Sequence, residues 1–513
     1  MKTGETKALK NLLKIVKESW FHFSGTLIQL FLGYVLLVII TRFLKPAEYG
    51  TFTLAQAILE IVLMLSLLGL PTALSRFLPY YNAVKQCGKS KFLIKKVLAL
   101  TLALSFAWGL ITFLSADYLN DIFFGKALLP QVLRILVWGL PLLVLIKVIS
   151  ACFIGYKELR YPMYFIQLGL PLLKIALALT IFSAGYNLLG WSWMYLFSLA
   201  GSAGLAVWFW RKKILATLNH FAPEPVNFKK VFSYSWPLSI NVIIIFLLAQ
   251  ATFILLGHFR PAEEVGIFRI YYYLTFPLLV FQQALEKIYQ PIASECLSRG
   301  ETKVISVIYH QVSKWFVITV SLGFMVVVFG GRELVTLLFT KQYLTSPAVL
   351  IVLAAAYLAR SLAGPNSATL VALGNTRLII FNSLLMLFSN ILVGFLLIPS
   401  WGILGATVAV SVAIIIGSLA SLLEVYKIHN LQPFTKNHWR FLTAFLLTAG
   451  ITCLIKIFLP VNNPFLLVSM ITLMISLYLC TLLRLGGLNE NELKIAGAIR
   501  KYLFSFRALK HRR

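Results

Sequence analysis

Charge is scarce in this chain. Of 513 residues only 12% are charged, with 17 Asp and Glu in all, whereas a soluble globular chain carries about 25%. Beside a hydrophobic fraction of 59% and a mean hydropathy of +0.86, that deficit excludes a water-soluble multidomain protein. Cysteine is sparse too. Cys87, Cys152, Cys296, Cys453 and Cys480 form no Cys-x-x-Cys pair, and neither a disulfide framework nor a zinc site is expected. The 7 histidines are scattered without an HExxH pattern, and there is no Asn-x-Ser/Thr sequon. No catalytic set, cofactor or metal is expected.

What the chain has in abundance is long apolar runs. Hydrocarbon about 30 Å thick takes roughly 20 apolar residues as helix. Runs of that length read as spans at 20–41, 51–76, 97–116, 132–153, 162–184, 191–210, 233–256, 266–288, 314–338, 346–368, 378–398, 403–424, 441–459 and 464–484. The fold class expected is all-α: a polytopic membrane protein of about fourteen transmembrane helices. The run from Phe23 is too long for a signal peptide and is read as the first span.

A net charge of +29 gathered in one basic domain would point to nucleic acid, but here the basic residues sit in short gaps between spans. Lys and Arg collect in cytoplasmic loops. With both termini inside, the inner segments hold 31 of them and the outer segments 6, so both termini are expected to be cytoplasmic. All outer loops are short, which leaves no extracytoplasmic domain. Segment 1–19 reads as a basic amphipathic helix on the inner surface, with Lys7, Lys10, Lys14 and Lys17 on one face. The tail 485–513 starts acidic and ends basic, in the sense that suits a helix dipole and an anionic leaflet.

An internal repeat organises the middle. Pro46-Ala47-Glu48, then Gly50 and Phe52, returns as Pro261-Ala262-Glu263, then Gly266 and Phe268. Both fall at the expected outer side and read as tight turns. Gly155-Tyr-Lys-Glu-Leu-Arg160 similarly parallels Gly374-Asn-Thr-Arg377. The unit is six helices, giving a first lobe at 20–210, a cytoplasmic linker at 211–232 and a second lobe at 233–424, with two further spans at 441–484. An even number of spans per unit relates the pseudo-symmetric lobes by an axis along the membrane normal.

The stretch Thr41-Arg-Phe-Leu-Lys-Pro-Ala-Glu-Tyr-Gly-Thr-Phe-Thr-Leu-Ala55, with Leu68-Gly-Leu-Pro-Thr-Ala-Leu-Ser-Arg-Phe-Leu-Pro79, resembles the start of Wzx-type polysaccharide flippases. These are relatives of the lipid II flippases and the MATE drug exporters. The resemblance implies that two rocking lobes move a polyprenyl-pyrophosphate-linked oligosaccharide from inner to outer leaflet without ATP. O-antigen, capsule or exopolysaccharide units are the implied cargo, membrane lipids the surroundings and a polysaccharide polymerase a candidate partner. Nucleic acid has no part.

A charge at mid-bilayer costs roughly 2.5–3.5 kcal/mol, so each needs a reason. Thr53, Gln56 and Glu60 form one polar stripe. Glu60 with Gln56 is either a proton or cation site on a cavity wall or a carboxylate hydrogen-bonded between helices of one lobe. Arg269 and Tyr273 share a face of the eighth span, Tyr357 and Arg360 a face of the tenth, and Lys147 and Lys174 add cations. Arginine offers paired donors to phosphate oxygens, and tyrosine faces suit sugar rings. Arg76, Arg134 and Lys287 lie near span ends, where snorkelling explains them.

Cys87-Gly-Lys-Ser90 looks like the end of a P-loop, but the required first glycine is Ala83 and no strand precedes it. Two other readings remain. A MATE-like exporter of small cations calls for acidic cavities, against the basic bias of Lys147, Lys174, Arg269 and Arg360. A membrane-embedded polymerase or ligase needs a long outer loop, which is lacking.

Overall fold

The computed structural model describes residues 24–183, 185, 187–434, 438–458 and 463–486. The amphipathic segment expected at 1–19 lies outside these residues, as does the tail from 487 onward. Hydrocarbon offers no partner to a backbone N–H or C=O, so an open spanning chain must be helical. Among the described residues there are helices and turns and no strand. Twelve helices among the described residues are long and apolar enough to cross a membrane, or up to fourteen if each of two bent pairs is one span.

In order the spans are α1 (Ser24–Phe43), α2 (Pro46–Leu67), α3 (Cys87–Leu114) and α4 (Leu129–Val137 with Leu140–Gly155, bent by 44°). Then come α5 (Arg160–Ser183), α6 (Leu188–Leu218), α7 (Phe228–Phe259), α8 (Ala262–Ser298) and α9 (Thr302–Leu338). The last are α10 (Ala348–Ala363 with Asn366–Ala372, bent by 46°), α11 (Thr376–Trp401), α12 (Ile403–His429), α13 (His438–Phe458) and α14 (Pro464–Arg484). They form two compact units. The first is Met1–Tyr273, Leu338–Val349 and Thr376–Gly417; the second is Leu274–Leu337, Leu350–Asn375 and Ser418–Arg513.

In the first unit, two expectations about α2 are corrected. Pro-Ala-Glu is not the loop but the first turn of the helix. Pro46 is its first residue, where a missing N–H is no loss, and the Lys45 N–H donates to Glu48 Oε2 at 2.9 Å. Nor does the helix run from 51 to 76. Leu68 and Gly69 have φ of 46° and 64°, left-handed values that cost a non-glycine residue roughly 1–2 kcal/mol. The chain restarts as a separate helix, Leu70–Ala83.

The two copies of the repeated motif meet each other. A β-carbon at Gly50 would collide with the Ala262 carbonyl, and one at Gly266 with the Pro46 carbonyl. Further down the antiparallel pair of α2 and α7, a β-carbon at Gly257 would lie 2.6 Å from Leu54 Cδ1. Deeper still, Gln250 reaches Glu60. This seam is closed at its motif end by two long side chains. The Tyr343 hydroxyl donates to the Leu44 carbonyl at 2.9 Å and Lys126 Nζ to the Arg260 carbonyl at 2.9 Å. Glu264 holds Arg260 at 2.8 Å and accepts the Ile403 N–H, at the start of α12, at 3.0 Å.

In the second unit α10 breaks at Gly364, where φ is 82°, followed by Pro365. The Ala363 carbonyl left by the break takes the Asn366 side-chain amide at 2.6 Å, and the Tyr309 hydroxyl lies 2.5 Å from Asn366 Oδ1. Helices α13 and α14 pack on α9 through Phe441 and Tyr478 against Val317 and Met325. Tyr478 and Ser321 share a buried hydrogen bond of 2.6 Å. Lys456 pairs with Glu333 at 2.9 Å while donating to the Phe329 carbonyl at 2.7 Å.

The seam makes a direct prediction. Gly266→Ala drives a methyl into backbone and should lower stability by about 1–3 kcal/mol, the usual range for overpacking. Gly204→Ala, where a β-carbon meets open space, should leave it unchanged or raise it slightly. Thermal unfolding of the two variants in detergent reads the difference.

Candidate functional site

Within the first unit, five helices bring their polar residues to one place. Helix α2 contributes Tyr49, Thr53, Gln56 and Glu60; α5 Lys174; α6 Tyr195; α7 Gln250 and Phe253; α8 Arg269 and Tyr273. The spacing of Thr53, Gln56 and Glu60 at i, i+3 and i+7 puts them on one helical face. Glu60 is half-buried, and both of its oxygens accept hydrogen bonds. Gln56 Nε2 lies 3.2 Å from Oε1 and Gln250 Nε2 2.6 Å from Oε2.

Two cations stand around this carboxylate. Lys174 Nζ sits 4.3 Å above the Tyr195 ring, a geometry in which the ring face attracts an ammonium. The Arg269 guanidinium lies 4.8 Å from the Phe253 ring and 4.9 Å from that of Tyr273, and donates to the Tyr273 hydroxyl at 3.3 Å. Tyr49 and Tyr195, both 5% exposed, lie beside Arg269 and Glu60 in this cluster. Counted formally, the cluster carries two positive charges and one negative.

Backbone chemistry fixes Tyr273. Pro277 lies inside α8 and has no N–H, so the Tyr273 carbonyl four residues back loses its helical donor. The Tyr34 hydroxyl of α1 fills the vacancy at 2.6 Å. Tyr273 is thereby held from both ends, its carbonyl by α1 and its hydroxyl by Arg269.

Of the residues expected at a site, Glu60, Gln56, Lys174, Arg269 and Tyr273 come together. Lys147 is exposed on the second segment of α4, with no hydrogen bond or ion pair to this cluster among the described residues. Tyr357, 2% exposed, and Arg360 belong to the second unit. There Arg360 pairs with Glu286 at 3.5 Å, so its charge is largely offset. The basic bias counted from the sequence omitted that carboxylate. Glu60 departs from the expectation of a bond within one lobe, because its partner Gln250 belongs to the second repeat. Tyr34, Tyr49, Tyr195 and Gln250 were missed. For Gln250 the available signal was a lone amide in an apolar run.

The fold is that of the MATE and lipid-flippase transporters. It matches the lipid II flippase MurJ in an inward closed conformation with a TM-score of 0.73 at 14% identity, over 90% of this chain and 97% of that one. It matches an inward-facing MATE family multidrug resistance transporter of the MOP superfamily with a TM-score of 0.68 at 14% identity, over 77% and 94%. The family model for polysaccharide biosynthesis proteins matches residues 15–287, and the chain belongs to that family. It is a multi-pass membrane protein. Over 269 residues it is 23% identical to the probable low-salt glycan biosynthesis flippase Agl15 of Haloferax volcanii, covering 49% of this chain and 56% of that relative.

The Glu60–Gln250 bond is testable as a cycle. Gln250→Ala removes a donor from a half-buried carboxylate and should cost about 1–3 kcal/mol of stability. In a Glu60→Gln background the same change should cost clearly less, the shortfall being the coupling energy. Additive losses in thermal unfolding would show that the two side chains do not interact.

Proposed function

We propose that the protein is a flippase that moves a polyprenyl-pyrophosphate-linked oligosaccharide from the inner to the outer leaflet. Both termini lie in the cytoplasm, and the two six-helix repeats alternate access to a shared site. The protein is a transporter without a catalytic step of its own. The observation that carries this reading is the excess cation of the Glu60, Lys174 and Arg269 cluster, in a chain of the polysaccharide biosynthesis family. The cluster draws on α2, α5 and α6 of one repeat and on α7 and α8 of the other, so an anion bound there touches both.

A pyrophosphate matches that arrangement chemically. Arg269 presents a planar fork of donors to two oxygens, and Lys174 adds a point charge. Tyr195 and Tyr273 already hold the two cations over ring faces, which limits the reorganisation needed on binding. Glu60 supports the cations when the site is empty. It is also the one carboxylate of the cluster, the group on which a proton or small cation would act. The 31 to 6 distribution of Lys and Arg supports the orientation.

Deletion of the gene, followed by extraction of polyprenyl-pyrophosphate glycans and a test of which leaflet holds them, decides the reading. Complete repeat units trapped on the cytoplasmic side, beyond an external probe, are expected. Units accumulating outside would indicate a blocked polymerase or ligase step, and no accumulation with altered sensitivity to cationic drugs a MATE-like exporter. In the complemented strain, Lys174→Ala and Arg269→Ala should each reduce glycan output about tenfold or more at matched protein level, given 1.5–3 kcal/mol per charged hydrogen bond. Lys147→Ala should leave it near wild type.

A further inference from the structure

The Cys87-Gly-Lys-Ser stretch has work to do that is unrelated to phosphate. The connection between the two repeats leaves α6 at Leu218 and enters α7 at Phe228. Residues 219–225 are all exposed, so apolar burial does not hold them in place. Backbone atoms do. Pro223 and Pro225 have no N–H, which leaves Glu224 the one amide donor of the Pro-Glu-Pro triplet. It donates to the Gly88 carbonyl at 3.2 Å. The Ala222 carbonyl presses on Gly88, where a β-carbon would stand 2.5 Å from the oxygen and 3.0 Å from Glu224 Cγ. One helical turn further along α3, Lys91 Nζ donates to the Phe221 carbonyl at 2.9 Å and to that of Asn219 at 3.4 Å.

The sequence prepares both sides of this contact. Each proline pushes the residue before it, Ala222 or Glu224, into extended backbone, so the strap is stiff before it docks. The socket needs glycine at 88 for the close approach and a long cation three residues later, on the same face of α3. Between the strap and α7 stand Pro225, Val226 and Asn227 alone. Beyond them Lys96 of α3 lies 4.8 Å over the Phe228 ring, a contact that can slide, unlike a backbone hydrogen bond.

We propose that the first turn of α3 is the anchor of the inter-repeat connection. Residues 219–224 stay fixed to the first repeat throughout the transport cycle, and the movement of the second repeat is taken up at Pro225–Asn227. Hinges of this kind are a few residues at element ends that absorb the change in backbone angles. The statement about a cycle rests on the flippase reading; the strap and its socket do not.

Two measurements on the full-length protein test it. In purified protein, hydrogen exchange at the Glu224 amide should be about tenfold slower in wild type than in Gly88→Val, whose side chain displaces Ala222. Equal rates would overturn the strap. In a background with the five cysteines replaced, Lys91→Cys and Phe221→Cys are then joined by a short bismaleimide. Glycan output in the leaflet assay should be unchanged on joining. A loss of about tenfold or more, equivalent to 1.4 kcal/mol or more, would overturn the fixed anchor, because the strap would then have to release. If the unjoined variant and wild type both move no glycan, the flippase reading fails while the exchange result still decides the strap.

Discussion

Hydrocarbon cannot hydrogen-bond, and four interruptions of helices among the described residues answer to that fact. At each, a side chain donates to a backbone carbonyl at the irregularity. Pro277 frees the Tyr273 carbonyl and Tyr34 of α1 takes it. The π-helical turn Met163–Gly169 of α5 places the Phe165 carbonyl where the Ser202 hydroxyl of α6 reaches it at 2.6 Å. The break in α10 leaves the Ala363 carbonyl to Asn366, and the gap between α1 and α2 leaves that of Leu44 to Tyr343. Each unsatisfied group would cost several kcal/mol in lipid, so these fillers also dictate which helices lie side by side. Backbone defects here act as packing instructions.

The charged cluster depends on the same economy of space. Glu60 can be met by an amide of α7 only if the two helices approach closely, and glycine permits that approach at Gly257 and at the Gly50–Gly266 contact above it. A larger residue at any of the three would part the seam at its motif end and lengthen the 2.6 Å bond from Gln250 deeper down. Charge placement and backbone proximity are therefore one constraint. Two amides, one from α2 and one from α7, hold the Glu60 carboxylate in place beside Lys174 and Arg269.

Much of the architecture was legible as sequence. The spans follow from apolar length, and the repeated Pro-Ala-Glu followed by glycine marked the two places that prove to touch. The start of α2 was misplaced because proline reads equally as a turn residue and as the first residue of a helix. Its end was misplaced because the breakers Gly69 and Pro71 were read through as part of one long apolar run. At the site, helical spacing placed Thr53, Gln56 and Glu60 on one face and Arg269 and Tyr273 on another, while Lys174 stood out as a cation in an apolar run. Partners were out of reach. Gln250 lies 190 residues from Glu60 and Glu286 74 from Arg360, and no local periodicity encodes such pairings. A buried cation therefore reads as free in sequence, whether it ends in a cluster like Arg269 or in an ion pair like Arg360.

The glycine contact also says something about the repeat. Gly50 meets Ala262, a residue of the second motif, and Gly266 meets Pro46, a residue of the first. Reciprocal contacts of this sort arise between equivalent segments related by a two-fold axis, and only segments beside the axis can make them. Away from that point the copies have diverged. Glu48 caps its own helix by accepting from Lys45. In the second copy Glu264, the residue after the matching Glu263, binds Arg260 and the start of α12 instead. The second motif carries one more residue between its glutamate and its glycine, and that insertion frees a carboxylate to reach a neighbouring helix. What the two copies still share is the part that touches across the axis, where a change in one glycine is felt at once by the backbone of the other.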